Sequence, residues 1–180
     1  MISQQTAEAI NGQINRELYS AYFYLGLSAR AEADNLKGTA AWFRAKHGEE
    51  MAHALKMYRY LLDQEAEVRL AEVAAPPADI HGVVPMFEST LEHEREVTAS
   101  INDLVDLALG QKDHATNIFL HWYVTEQIEE EATVSDILGR LRRFGDTGEG
   151  LLMIDNELAT AAAKMEQAAA SAKAGTGAAA

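Results

Sequence analysis

The 180-residue chain contains no cysteine. Disulfides, zinc–thiolate sites, iron–sulfur ligation and thiol catalysis are therefore excluded. Proline is nearly as scarce. Pro76 and Pro77 stand together, Pro85 follows, and long stretches elsewhere carry no such breaker. Basic residues are outnumbered, 15 Lys and Arg against 28 Asp and Glu, for a formal charge of -13. Nucleic-acid binding needs clustered Lys and Arg, so this balance argues against it, while a surplus of carboxylates attracts cations. No apolar run approaches the roughly 18 residues of a membrane span. The start, MISQQTAEAI, has neither a basic n-region nor an apolar h-region. It does not read as a secretory signal, and a cytoplasmic location is the expectation.

What is present is helical periodicity between widely spaced breaks. A first helix is expected from about Gln4 to Asn35, with Ser3 as N-cap and DNLKG as the stop, and a second from about Thr39 to Glu67. The segment VRLAEVAAPPADIHGVV then forms a long connection, which a crossover between distant bundle ends would explain. A third helix is expected to start at Pro85, a favoured first-turn residue, and to end near Gly110. A fourth follows Asp113 as N-cap and stops at Gly145, and a short fifth spans about Thr147 to Gln167. The long helices, at roughly 25–32 residues, would each measure about 40–48 Å. Short loop, long crossover and short loop define an all-α four-helix bundle with one crossover connection. The fifth helix is expected to pack at one end of the bundle or on a partner subunit. Residues 1–167 thus form one domain, and the Ala/Gly-rich 168–180 reads as a mobile tail.

The function lies where the core stripes break. Steps of three and four trace Ile10, Ile14, Glu17, Ala21, Tyr24, Ser28 in the first helix and Phe43, His47, Glu50, Ala54, Met57, Leu61 in the second. The third gives Phe87, Leu91, Glu94, Val97, Ile101, Leu104, Ala108, and the fourth Leu120, Tyr123, Gln127, Glu130, Val134, Ile137, Leu141. Every stripe carries a Glu near mid-length on the face that should be buried, and His53 stands beside Glu50. One unpaired buried carboxylate costs several kcal/mol, and four converging like charges cost more. Protonation relieves part of that cost, and metal cations relieve it far better. Carboxylates with an imidazole and no soft donor suit iron or manganese and not copper(I). These seams contain no Lys or Arg, which counts against a purely structural bundle with internal ion pairs.

This arrangement, with NRELYSAYFYL (15–25), GEEMAHA (48–54), WYVTEQIEEEA (122–132) and the late GEGLLMIDNEL, resembles the bacterial non-haem ferritins of the ferritin-like di-iron family over nearly the whole chain. The resemblance implies that Glu17, Glu50 and His53 bind a first iron, with Glu50 bridging. Glu94 and Glu130 complete a second site, and Gln127 stands nearby as hydrogen-bond donor or oxygen ligand. It implies a third iron site at Glu49, Glu126 and Glu129, and makes Tyr24 an electron donor to the pair. The implied activity is ferroxidase: Fe(II) is oxidised by O2 or H2O2, and a ferric mineral is stored inside a homo-oligomeric cage of 24 subunits. A second Glu-x-x-His would mark bacterioferritin. Gln127-x-x-Glu130 stands there instead, so haem is not expected, although Met51 sits where bacterioferritins place their haem ligand. The positions matching an animal-type entry channel, Asn117 and Leu120, are not acidic. A catalase-like or peroxidase di-metal enzyme on the same bundle is the competing reading.

Overall fold

The computed structural model describes residues 2–145 and 147–176, and all the regular elements among them are helices: α1 Gln4–Ala33, α2 Lys37–Asp63, α3 Val83–Gly110, α4 His114–Phe144 and α5 Gly148–Thr176. None is long and apolar enough to cross a membrane. Local chemistry sets the boundaries. Ser3 caps α1 by accepting from the Thr6 amide at 3.0 Å, and Asp113 caps α4 by accepting from the Thr116 amide at 3.0 Å. Helices α1, α2 and α3 each end beside a residue in the left-handed region, Asn35, Glu65 and Lys112. The third helix differs from expectation. It begins at Val83, after Gly82 at φ +88°, so Pro85 is its third residue rather than its first. Proline is still tolerated there, because first-turn amides have no intrahelical acceptor.

Helices α1 and α2 pack as one antiparallel pair and α3 and α4 as another, with α1 also against α3. The connection from α2 to α3 runs along α1. Asn11 donates to the Glu67 carbonyl at 2.9 Å and accepts from the Arg69 amide at 2.7 Å. Further along, the Pro76 ring lies so close to Gly26 that a β-carbon there would meet it at 3.1 Å. Asn11 and Gly26 are about 22 Å apart along the helix axis. The segment is therefore the long crossover that the sequence implies.

The expected end of the fifth helix near Gln167 is corrected: α5 continues to Thr176, for 29 residues. Ala-rich AAAKMEQAAASAKA has high helix propensity, which outweighs its low complexity. Residues 168–176 of the expected tail are thus helical, and 177–180 lie outside the described residues. α5 docks across the start of α2 and against α4. Leu36, the residue preceding α2, offers no side-chain cap. Asp155 of α5 supplies it from a distance, accepting from the Gly38 amide at 2.9 Å and from the Thr39 amide and hydroxyl at 2.7 Å each. Gly38 permits the contact, since a β-carbon there would lie 1.7 Å from the Asp155 carbonyl oxygen. Ile154 and Leu158 bury against the bundle, while Leu152 and Met153 remain exposed.

The core is not continuous. One apolar cluster joins Phe23, Tyr24, Trp42, Phe43, Phe87, Val134 and Leu141, with Ile154 and Leu158 of α5. A second joins Ile10, Ile14, Met57, Leu61, Val97, Ile101, Leu120 and Tyr123. On every bundle helix the carboxylate of interest lies between the two.

Candidate metal centre

The layer dividing the two clusters consists of Glu17 from α1, Lys46, Glu50 and His53 from α2, Glu94 from α3, and Gln127 and Glu130 from α4, all buried. Each helix delivers its group because the flanking three–four stripe is apolar and turns that face inward. Glu17, Glu50 and His53 offer ligand atoms within 4.8 Å of one another, and the His53 Nδ1 lies 3.3 Å from a Glu50 oxygen. Glu49, His53 and Glu126 form a second such group. Glu94 and Glu130 join neither group. Glu129 is exposed and also lies outside both.

The layer carries its own hydrogen bonds. Gln13 donates to Glu17 at 2.9 Å. The Tyr24 hydroxyl donates to one Glu94 oxygen, and Gln127 donates to the other at 3.1 Å and to the Glu94 carbonyl at 3.2 Å. Tyr24 is therefore coupled to Glu94 in the structure. Tyr123 holds the backbone of α2 by donating to the His53 carbonyl at 2.9 Å, and the Trp122 ring stands edge-on to His53, centroids 5.1 Å apart.

One member of the layer is basic, against expectation. Lys46 is buried, donates to a Glu130 oxygen and lies 2.7 Å from Glu49. The expected seam residue His47 is only half-buried and faces the Ala21 carbonyl at 2.8 Å. Stepping back three from Glu50 reaches His47; stepping back four, an equally close neighbour on a helix, reaches Lys46. The claim that the seams lack a basic residue therefore fails at one position. A single ammonium cannot balance four ionised carboxylates, so the rest of the charge must be met by protons or by a bound cation.

Burial and the neighbouring charges shift every ionisable group in the layer. Burial pushes the Glu17 carboxyl well above its ordinary range, and Glu50 beside it pushes the same way. Burial would raise Glu50 too, but the His53 hydrogen bond and charge, with Lys46, hold it below its ordinary value. The imidazole of His53 is lowered by burial and raised more strongly by Glu50 and Glu17, reaching about 9. Burial and the neighbouring carboxylates carry Glu94 up to about 7. Burial raises Glu130 against the opposing pull of Lys46. The layer thus holds its protons where an arriving cation would replace them.

A family model described as a ferritin-like domain matches residues 7–144. The chain belongs to the ferritin family. It is 39% identical over 155 residues to the bacterial non-heme ferritin of Campylobacter jejuni, covering 86% of this chain and 93% of the relative. It is 38% identical over 160 residues to the bacterial non-heme ferritin of Escherichia coli, covering 89% and 97%. Among solved structures, an open pore ferritin from the hyperthermophilic archaeon Archaeoglobus fulgidus superposes with a TM-score of 0.87 at 42% identity, covering 88% of this chain and 98% of the other. The ferritin fold here is therefore supported by both sequence and shape, and the family match ends at the last residue of α4, before α5 begins.

Proposed function

We propose that this ferritin oxidises Fe(II) at the carboxylate layer and stores the product as a ferric mineral inside a cage. The observation that carries the reading is the layer itself: four buried Glu residues from four helices, with one imidazole, between two apolar half-cores. Lys46 offsets only one of the four carboxylates, and burying the others needs protons or bound cations, which supports cation binding. Oxygen donors and one imidazole fit Fe(II).

In this reading Fe(II) is the substrate. Glu17, Glu50 and His53 take the first ion, and Glu94 and Glu130 the second, with Glu50 bridging. Gln127 orients Glu94 through the hydrogen bond described above. Two Fe(II) ions supply two electrons, enough to reduce O2 to H2O2 or H2O2 to water. The Tyr24 hydroxyl on Glu94 is placed to pass an electron or a proton to that side of the pair. His53 gives up its proton on loading, and Trp122 shields it from bulk water. Glu49 and Glu126, with His53, offer a third position, and Glu129 lies at its edge. No haem is called for, since the Gln127–Glu130 pair takes the place of a second Glu-x-x-His.

Storage requires a shell. A homo-oligomer of 24 subunits in the cytoplasm is the form proposed, with α5 near the four-fold axis. Exposed Leu152 and Met153 on α5, and Tyr22, Leu25, Leu70 and Ile118 elsewhere, supply apolar surface for neighbouring subunits. The deciding experiment adds Fe(II) aerobically to the full chain and sizes the product. Storage requires iron to co-elute with a large protein particle, and Glu50→Ala should abolish rapid oxidation. Fast H2O2 disproportionation with no retained mineral would instead identify a catalase-like enzyme.

A further inference from the structure

We infer that Lys46 is a built-in cation that makes metal loading sequential, holding Glu130 and Glu49 closed until the Glu17–Glu50–His53 side has filled. The inference rests on the proposed iron site. Its observation is independent: a buried ammonium donating to Glu130 on α4 while lying 2.7 Å from Glu49 on its own helix. Those two carboxylates belong to different parts of the centre. Glu130 serves the second ion. Glu49 stands with His53 and Glu126 in the other ligand group.

The geometry makes the two halves of the layer unequal. Glu17, Glu50 and His53 present their ligand atoms together, and the nearest neutral partner is the amide of Gln13. A cation entering there meets the His53–Glu50 pair at 3.3 Å, both of them ligands, and displaces no side chain that cannot itself bind a metal. On the α3–α4 side, one Glu130 oxygen is already occupied by Lys46. A metal seeking that oxygen must displace the ammonium, and it meets a fixed positive charge until it does. A lysine stem has four rotatable carbons, so the ammonium can swing towards Glu49, which it already touches. Moving it there frees Glu130 but neutralises Glu49, and so disfavours a third ion at Glu49, His53 and Glu126. Lys46 thus ranks the three positions: first Glu17–Glu50–His53, then Glu94–Glu130, and last the Glu49 group. It acts through Glu130 and Glu49, as a positioning residue.

Anaerobic titration of the assembled full-length protein with Co(II) tests this, followed by the visible ligand-field bands and by calorimetry. The unaltered protein should bind a first Co(II) tightly and a second more weakly. Lys46→Gln should narrow that gap by about tenfold or more, the scale expected for a unit charge removed from a few ångströms away in a protein interior, and should let a third ion bind. Lys46→Arg, which keeps the charge, should restore the gap. An unchanged gap in Lys46→Gln, with Co(II) still binding, would overturn the role of Lys46 and leave the iron site standing. No saturable Co(II) binding by the unaltered protein would overturn the iron site itself. If Lys46→Gln fails to assemble, crystals of the unaltered protein at low and saturating Co(II) decide. Lys46 on Glu130 at low loading and off it at saturation supports the ranking. Cobalt at Glu94–Glu130 with Lys46 unmoved refutes it.

Discussion

Metal loading should expel protons from the layer, and His53 sets how many. An imidazole can ligate only when neutral. In the metal-free layer burial favours the neutral ring, but Glu50 and Glu17 outweigh it and lift His53 to about 9. At pH 7 the ring is therefore protonated, and removing the proton costs about 3 kcal/mol, or about a hundredfold in apparent affinity relative to a high-pH limit. Burial and Glu50 hold Glu17 well above its ordinary range, so a proton that it retains is released as well. Titrating Zn(II) into the metal-free protein in two buffers of different protonation enthalpy reads this directly. The apparent enthalpy should differ by at least one buffer protonation per first-site ion. The logarithm of the affinity should rise by about one or more per pH unit between pH 6 and 7.5. His53→Asn should remove about one proton from the exchange and flatten the slope accordingly. Equal enthalpies in both buffers with pH-independent affinity would refute the reasoning, because the layer would then already be deprotonated.

The same shifts make metal-free stability fall as pH rises. Glu94 and His53 both have folded values above their unfolded ones. The Glu94 contribution is complete below about 4.5 and lost as pH passes about 7, and the His53 contribution is complete below about 6.5 and lost as pH passes about 9. Differential scanning calorimetry of the metal-free protein should therefore give a lower Tm at pH 9 than at pH 6, and saturating Zn(II) should remove most of the difference. Gly38→Ala should detach α5 or strain it, because the new β-carbon would lie 1.7 Å from the Asp155 carbonyl oxygen. A loss of about 1–3 kcal/mol in chemical denaturation is expected, more if the bundle cannot adjust. Asp155→Ala removes the only side-chain cap on the start of α2 among the described residues and should cost about 1–2 kcal/mol, with earlier amide exchange at Gly38 and Thr39.

The mid-length position of the carboxylates explains why the centre was legible in the sequence while its counter-cation was not. In an antiparallel bundle, residues at the middle of each helix share one level whichever way the chain runs. Glu17, Glu50, Glu94 and Glu130 could therefore be brought together from their spacing alone, without knowing any register. The apolar groups flanking them reverse order within each pair, α1 with α2 and α3 with α4, and keep it across the crossover from α2 to α3. Ile10 and Ile14 precede Glu17 in one half-core, whereas Met57 and Leu61 follow Glu50 in the same half-core, as up-and-down neighbours require. Lys46 lies one turn from that level, about 6 Å along the axis. Whether a side chain there meets an opposing carboxylate depends on how α2 and α4 are rotated about their axes, and the three–four pattern leaves His47 and Lys46 equally eligible. Packing decides it: Phe43 and Trp42 seat one end of α2 in the first half-core, Met57 and Leu61 seat the other in the second, and the rotation that satisfies both brings Lys46 inward and leaves His47 half-buried. The Asp155 cap was hidden for a related reason, since it joins residues on helices far apart in sequence. What the sequence pattern carries is the depth of each charged group along its helix. What it lacks is the rotation of each helix, and the difference between four bare carboxylates and a layer with its own tethered cation rests on that rotation.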